Sequence, residues 1–229
     1  MINYKISNNY FKNREFTFNI GCGIFFLLWI FSIALIGDSR VALIFAVLLT
    51  IAVYFIYKPL IVDDKTYDDN AAKPLNNFKS KALNELDIDE TEVEAVQPIE
   101  LKGYTINGAG KAKYGKDGVL RTDRFSASIT FFSNEAMHIY SFIYSTTTPN
   151  DTHESTKEYF YKDIVSIEIT QRQNPIKTNL IQSKDYIEDC LTFITTGGSR
   201  VELSIAKQEL ESVKTSLKAM RNLLKEKKK

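Results

Sequence analysis

One long part of the chain lacks charge, and the whole chain lacks most of the usual chemical ligands. Only two cysteines and two histidines occur among 229 residues. Cys22 and Cys190 form no CxxC pair and no Cys/His cluster, which argues against a structural zinc site and a disulfide framework. Both read as small apolar residues rather than redox centres. His138 falls in a strand-like stretch and His153 in a polar loop, and neither has a second ligand or a nucleophile at a recognisable spacing. The net charge is +1, without the basic surplus of a nucleic-acid binder, so no nucleic acid is expected as a partner.

The motifs that suggest nucleotide or metal chemistry are incomplete. Gly103 to Lys111 is glycine-rich and ends in Gly110-Lys111, but Ala112 stands where a phosphate loop needs Ser or Thr. The acidic run Asp87, Asp89, Glu90, Glu92 and Glu94 lacks the central glycine and the ligand spacing of a calcium loop. No cofactor, no metal and no catalytic residue is expected, and the chain does not read as an enzyme.

What is present begins with two apolar runs, Phe18 to Ile36 and Val41 to Val62, with no charge before Lys58 in the second. Each is close to the ~20 residues that cross a bilayer as a helix. Neither shows a polar stripe at helical period. The expectation is a transmembrane helical hairpin over 18–62, preceded by a cytoplasmic tail, 1–17. Lys5, Lys12 and Arg14 outweigh a hairpin loop that carries only Asp38 and Arg40, so the positive-inside rule puts both termini in the cytoplasm. The expected location is the cell membrane, multi-pass, with the lipid bilayer as a partner. The spans hold no ionisable group at mid-depth, which suits an anchor and not a conduit.

Residues 63–96 read as a juxtamembrane linker with two short helices. Phe78, Ala82, Leu83 and Leu86 recur at helical spacing from about Asn76 to Leu86, and Asp89 with Glu92 has the form of a capping box ahead of Pro98. From Ile99 the period becomes two, in short β-branched and aromatic runs separated by turns such as Lys116-Asp117-Gly118 and Gly197-Gly198-Ser199. Hairpin-length spacing predicts an antiparallel meander. Leu210, Val213, Leu217, Met220 and Leu224 then predict one amphipathic closing helix.

One constellation carries partner-binding chemistry. Lys111, Lys113, Lys116, Arg121 and Arg124 surround a predicted turn between early strands, with Asp117 and Asp123 partly cancelling them. Such a set can hold anionic head groups by charge-assisted contacts, each worth ~1 kcal/mol near an anionic surface. The alternative is a plain solvated hairpin.

Glu158-Tyr-Phe-Tyr-Lys-Asp-Ile-Val-Ser-Ile-Glu168, and Thr192 to Leu203 followed by the closing helix, resemble bacterial pleckstrin-homology-like domains. The hairpin ahead of them is similar in order to members of the YcxB-like group. The resemblance covers about Gln97 to Lys225 and implies an α+β membrane protein. In it a PH-like antiparallel β-barrel over 97–229 is capped by the C-terminal α-helix. It also implies a non-enzymatic binding module for lipids or proteins, and it sets the basic loop where lipid-binding members bind. The expected function is a membrane-anchored, cytoplasmic-facing binding or scaffold module recognising a protein partner or an anionic membrane surface. The alternative is a membrane-embedded immunity or stress-response factor whose hairpin meets a partner in the bilayer.

Overall fold

The computed structural model describes residues 1–12, 18–36, 39–57, 61–93, 97–177, 183–206 and 209–227. The chain divides into two compact units, Lys5–Asp69, and Met1–Tyr4 with Asn70–Lys229.

In the first of these units the two apolar runs are helical, as α2 (Phe18–Ile36) and α3 (Ser39–Tyr57). α2 coincides with the first run, whereas α3 opens on Ser39 and Arg40, ahead of the second run, and is described as far as Tyr57. Among the described residues no helix is long and apolar enough to cross a membrane. This finding overturns the expected transmembrane hairpin, and with it the integral, multi-pass membrane location with cytoplasmic termini. Arg14 and Asp38, two of the charges on which the orientation rested, lie outside the described residues, as does the Cys22 side chain. Ser32 and Thr50 spend their hydroxyl protons on Leu28 O and Ala46 O, each at 2.7 Å within its own helix. Large apolar side chains, including Leu27, Phe31, Ile44 and Leu48, remain exposed on both helices. The tail and the linker also carry structure that their polarity hides. α1 (Tyr4–Phe11) meets α4 (Asp64–Ala72) through Tyr10 and Tyr67, whose rings stack at 4.2 Å, while Tyr10 Oη donates to Asp64 at 2.8 Å.

The other unit is built on β1 (Ile99–Tyr104), β2 (Ala112–Tyr114), β3 (Leu120–Thr122), β4 (Arg124–Phe132), β5 (Ala136–Ser145), β6 (Thr152–Phe160), β7 (Ile164–Lys177), β8 (Ser183–Thr195) and β9 (Arg200–Ile205). All ladders are antiparallel, in sheets of order β1-β4-β5-β6, β2-β3 and β7-β8-β9. None closes into a barrel, which corrects the expected PH-like barrel. A barrel needs every strand edge paired, and two joins are missing here. A 3₁₀ turn at Tyr161–Asp163 carries the chain from β6 into a different sheet, so β6 and β7 share no ladder. β1 comes close to the end of β9, where a Cβ on Gly103 would lie 3.0 Å from Ala206 Cβ, but without pairing.

The inner strands β4 and β5 of the four-stranded sheet bury both faces because they carry apolar residues on both. Phe125, Ala127, Ile129 and Phe131 of β4, with Tyr140, Phe142 and Tyr144 of β5, pack against Ala71 of α4 and Phe78 and Ala82 of α5 (Phe78–Leu86). The opposite face, through Leu101, Phe132, Met137 and Ile139, joins Leu191, Phe193, Val201 and Leu203 of the three-stranded sheet. α6 (Leu210–Lys227) completes that core with Val213, Leu217, Met220 and Leu224, as its stripe predicts. Arg221 ties it down, donating from Nη2 and Nε to Ile167 O at 2.9 and 3.2 Å. The expected second linker helix is a single 3₁₀ turn, Glu90–Glu92, in which the Asp89 carbonyl accepts from Glu92 N–H at 3.0 Å but its side chain makes no capping hydrogen bond.

Candidate functional site

The basic constellation comes first, because the sequence singles it out. β2 and β3 form a short ribbon in which Lys113 lies across from Arg121. The turn between them is tight: Gly115 N–H donates to Val119 O at 2.9 Å, and Gly118 takes φ +74°, a left-handed conformation that favours glycine. Arg121 is 4% exposed and grips Asp117 with both terminal nitrogens, each at 2.8 Å. That fork holds the Asp117 carboxyl well below the usual carboxylate range. Arg124, at the start of β4, meets Asp151 at 2.8 Å. Lys111 and Lys113 sit at the beginning and middle of the ribbon, and Lys116 sits in its turn. The five cations therefore share a neighbourhood but do not form one anion site, since both arginines already answer carboxylates of the chain.

The glycine-rich segment is occupied in the same way. The Gly110 and Lys111 N–H groups donate to Asp123 Oδ1 at 3.0 and 3.1 Å. Thr147 Oγ1 donates to Asp123 Oδ2 at 3.4 Å. The backbone donors that a phosphate would seek are satisfied by an internal, nearly buried carboxylate.

A groove of about 700 Å³ opens elsewhere, at the end of the four-stranded sheet. Its walls are the 3₁₀ turn with Thr91, Glu92 and Val93, and the β4–β5 turn from Ser133 to Ala136. His138, Glu158 and the 43% exposed Phe160 line it from β5 and β6. Register explains the grouping, because His138 pairs with Glu158 and Ala136 with Phe160 across the β5–β6 ladder. Residues in register share a face. Among the described residues no lysine or arginine is ion-paired with Glu92, Glu135 or Glu158. Two cations stand at the rim: Lys227 Nζ reaches Asn134 Oδ1, and Lys162 lies over the Phe160 ring at 5.4 Å.

Ser133, His138 and Glu158 superficially form a hydrolytic relay, with His138 Nε2 3.1 Å from Ser133 Oγ and Nδ1 3.8 Å from Glu158 Oε1. The hydrogen bonds run the wrong way for it. Ser133 Oγ gives its proton to Ala136 O at 3.0 Å and accepts from Ala136 N at 3.3 Å, so it staples the turn. The imidazole then donates to the hydroxyl instead of taking its proton, and the carboxylate stands beyond hydrogen-bond range. Burial pushes the His138 pKa down against the pull of Glu158 and Glu92, which leaves a neutral ring. His153 is exposed on β6. Among the described residues no three His, Cys, Asp or Glu side chains converge as a metal site. Cys190 is fully buried, and its thiol is pushed up to about 11, first by desolvation and then by Glu188.

β6 itself is the part that the sequence reading missed. Thr152 to Phe160 is the outer strand of its sheet and is exposed at seven of its nine positions. Its signal was legible as THESTKEYF, a stretch polar on both faces, which only an outer strand tolerates. Compared with protein-family models, with curated proteins and with solved structures, the chain matches none.

Proposed function

We propose that the chain is a non-enzymatic binding module that recognises a segment of a protein partner along β6 and the groove at its end. The observation that carries this reading is the outer strand: nine residues whose ladder hydrogen bonds, among the described residues, are made on the β5 side alone. Alternate N–H and C=O groups of such a strand point outward and are a template for one more strand. The groove adds a recess beside that template, where side chains of an added strand find polar and apolar contacts.

The conspicuous polar groups elsewhere support a structural use. Asp117, Asp123, Asp151 and Ser133 each fasten a turn or a cation of the chain. The resemblance of Glu158 to Glu168 and Thr192 to Leu203 to pleckstrin-homology-like domains, which are binding modules, points the same way. Recognition of an anionic surface by the β2–β3 ribbon is less favoured, because Arg121 and Arg124 are held by Asp117 and Asp151.

Site-specific photo-cross-linking tests the proposal. A photoreactive residue replaces Thr156, in mid-β6, or Lys218, exposed on α6, in the full chain within its native cells. The expected result is a discrete protein adduct from position 156 and none of that mass from 218. Equal labelling from the two positions, or none from 156, would sink the reading.

A further inference from the structure

The ligand's chemical class follows from the charges and the spacing on one side of β6. Because side chains alternate, Glu154, Thr156, Glu158 and Phe160 share a face. Glu154 is already engaged, by Lys81 at 2.7 Å and by Tyr140 Oη at 2.6 Å. Glu158 meets only the neutral His138 ring, at 3.8 Å, and its side chain is 53% exposed. Glu92 faces the same ring from the opposite wall, and Glu135 stands in the turn beside it. Lys162 and Lys227 balance part of this charge, but they do so at the Phe160 and Asn134 side of the rim. The Glu92–Glu158 side therefore keeps an acidic surplus, and two residues further along β6 comes the exposed Phe160 ring, in a groove that Val93 also lines.

Resting on the reading of β6 as a protein-binding strand, we infer that the occupant is an extended basic segment. It carries a lysine or arginine and a large apolar residue two positions apart on one face. Its backbone extends the sheet beyond β6. The cation enters between Glu92 and Glu158, and the apolar side chain lies on Phe160. A spacing of two suits a strand, whose side chains repeat with period two, and would not suit a helix. The charges set partner choice, and the backbone ladder supplies contacts that any extended segment makes.

The test is fluorescence anisotropy with the full chain and the labelled heptapeptide acetyl-Thr-Lys-Thr-Leu-Thr-Lys-Thr-amide, whose pattern reads the same in both directions. Its counterparts carry Glu for both Lys, or N-methyl groups on alternate backbone nitrogens. The basic peptide is expected to bind at least tenfold tighter than the acidic one and to lose binding on N-methylation. Glu158→Gln should weaken it about threefold to fivefold, the size of a half-exposed charge contact. Glu154→Gln should leave it nearly unchanged. Equal affinity for the basic and acidic peptides, with N-methylation still harmful, overturns the basic class and leaves the strand reading standing. Binding of neither peptide while position 156 still cross-links a protein overturns the inference alone. Binding of neither together with no adduct removes both readings.

Discussion

Two tyrosines on the same sheet face lose the same atom in Tyr144→Phe and Tyr140→Phe, yet the structure predicts different costs. Both side chains are at most 1% exposed, and both hydroxyls make a 2.6 Å hydrogen bond. Tyr144 donates to the Ala71 carbonyl, in the last turn of α4, where carbonyls lack the usual helical donors. Ala71 is fully buried. Removing the hydroxyl leaves that carbonyl without its donor and out of water, a loss of about 1–3 kcal/mol. Tyr140 donates instead to Glu154, a carboxylate 36% exposed and also held by Lys81. Its acceptor can turn to water, so the net cost is that of one ordinary hydrogen bond, about 0.5–1 kcal/mol. For a chain of this size each kcal/mol moves the melting temperature by roughly 2–4 °C.

Chemical denaturation of the two variants beside the parent, with unchanged m-values, measures the difference. Amide exchange adds a local readout: Tyr144→Phe should speed exchange at the end of α4 and in α5, and Tyr140→Phe should not. If the two variants lose equal stability, the argument that burial of the acceptor decides the cost is wrong. If Tyr144→Phe is neutral, the docking of α4 on this sheet is not as described.

Three further outcomes are expected. The folded pKa of His138 lies below its ordinary value because burial outweighs the nearby Glu158 and Glu92, so the unfolded chain takes up the proton first. Stability should therefore fall as pH drops through and below the ordinary histidine range near 6.5, and His138→Gln should flatten that part of the curve in pH-dependent urea melts. At Gly103 a new methyl group would lie 3.0 Å from Ala206 Cβ, so Gly103→Ala should cost about 1–3 kcal/mol by overpacking. Gly103→Ala with Ala206→Gly should recover much of it in the same melts. Among the described residues of α2 and α3, eleven large apolar side chains, including Phe26, Ile30, Phe45 and Ile51, are 41–71% exposed, on the order of 1,000 Å² of apolar surface. A dye that brightens on apolar surfaces should bind the full chain strongly, and Leu27→Ser with Phe31→Ser and Leu48→Ser should reduce that signal.

The elements legible in the sequence are those whose pattern is set by a buried face. α6 shows its stripe because Val213, Leu217 and Met220 meet one core, and α5 shows Phe78 and Ala82 for the same reason. Strands β4 and β5 stand out through their alternating and then continuous apolar runs. α4, by contrast, reads DKTYDDNAA, and its buried residues are Tyr67, Asn70 and Ala71, two of them apolar, too few for a periodicity to appear. β6 escaped notice because its pairing with β5, and not an apolar face, maintains it. The two readings that failed depended on more than local pattern. Whether strands close on one another is decided at two joins, after Phe160 and at Gly103, and neither has a sequence signature. The apolar content of residues 18–62 was plain and the first run matches α2, but the second gave no sign that its helix opens at Ser39.

The same distinction governs the candidate sites. The residues that draw the eye in the sequence, a lysine after paired glycines and a cluster of arginines, sit beside carboxylates that the chain itself supplies 4 to 27 positions away, from Arg121–Asp117 to Arg124–Asp151. A charge so placed is committed to a turn, and displacing its partner would expose a nearly buried guanidinium at Arg121. β6 has the opposite economy. Its charges are spread singly along a strand, and its backbone is satisfied on one side only. Lys157 is the kind of residue that protects an outer strand from indiscriminate pairing. On the proposed reading Glu158, on the other face, supplies the selectivity, since a segment bringing an acidic side chain there would meet Glu92 and Glu158 together, and one bringing a cation would relieve both. An outer strand that excludes most segments by charge while keeping its backbone open is better suited to recognising one partner than to staying blank. On the proposed reading, Glu158→Gln is therefore expected to weaken the preference for a basic segment before it lowers the stability of the fold.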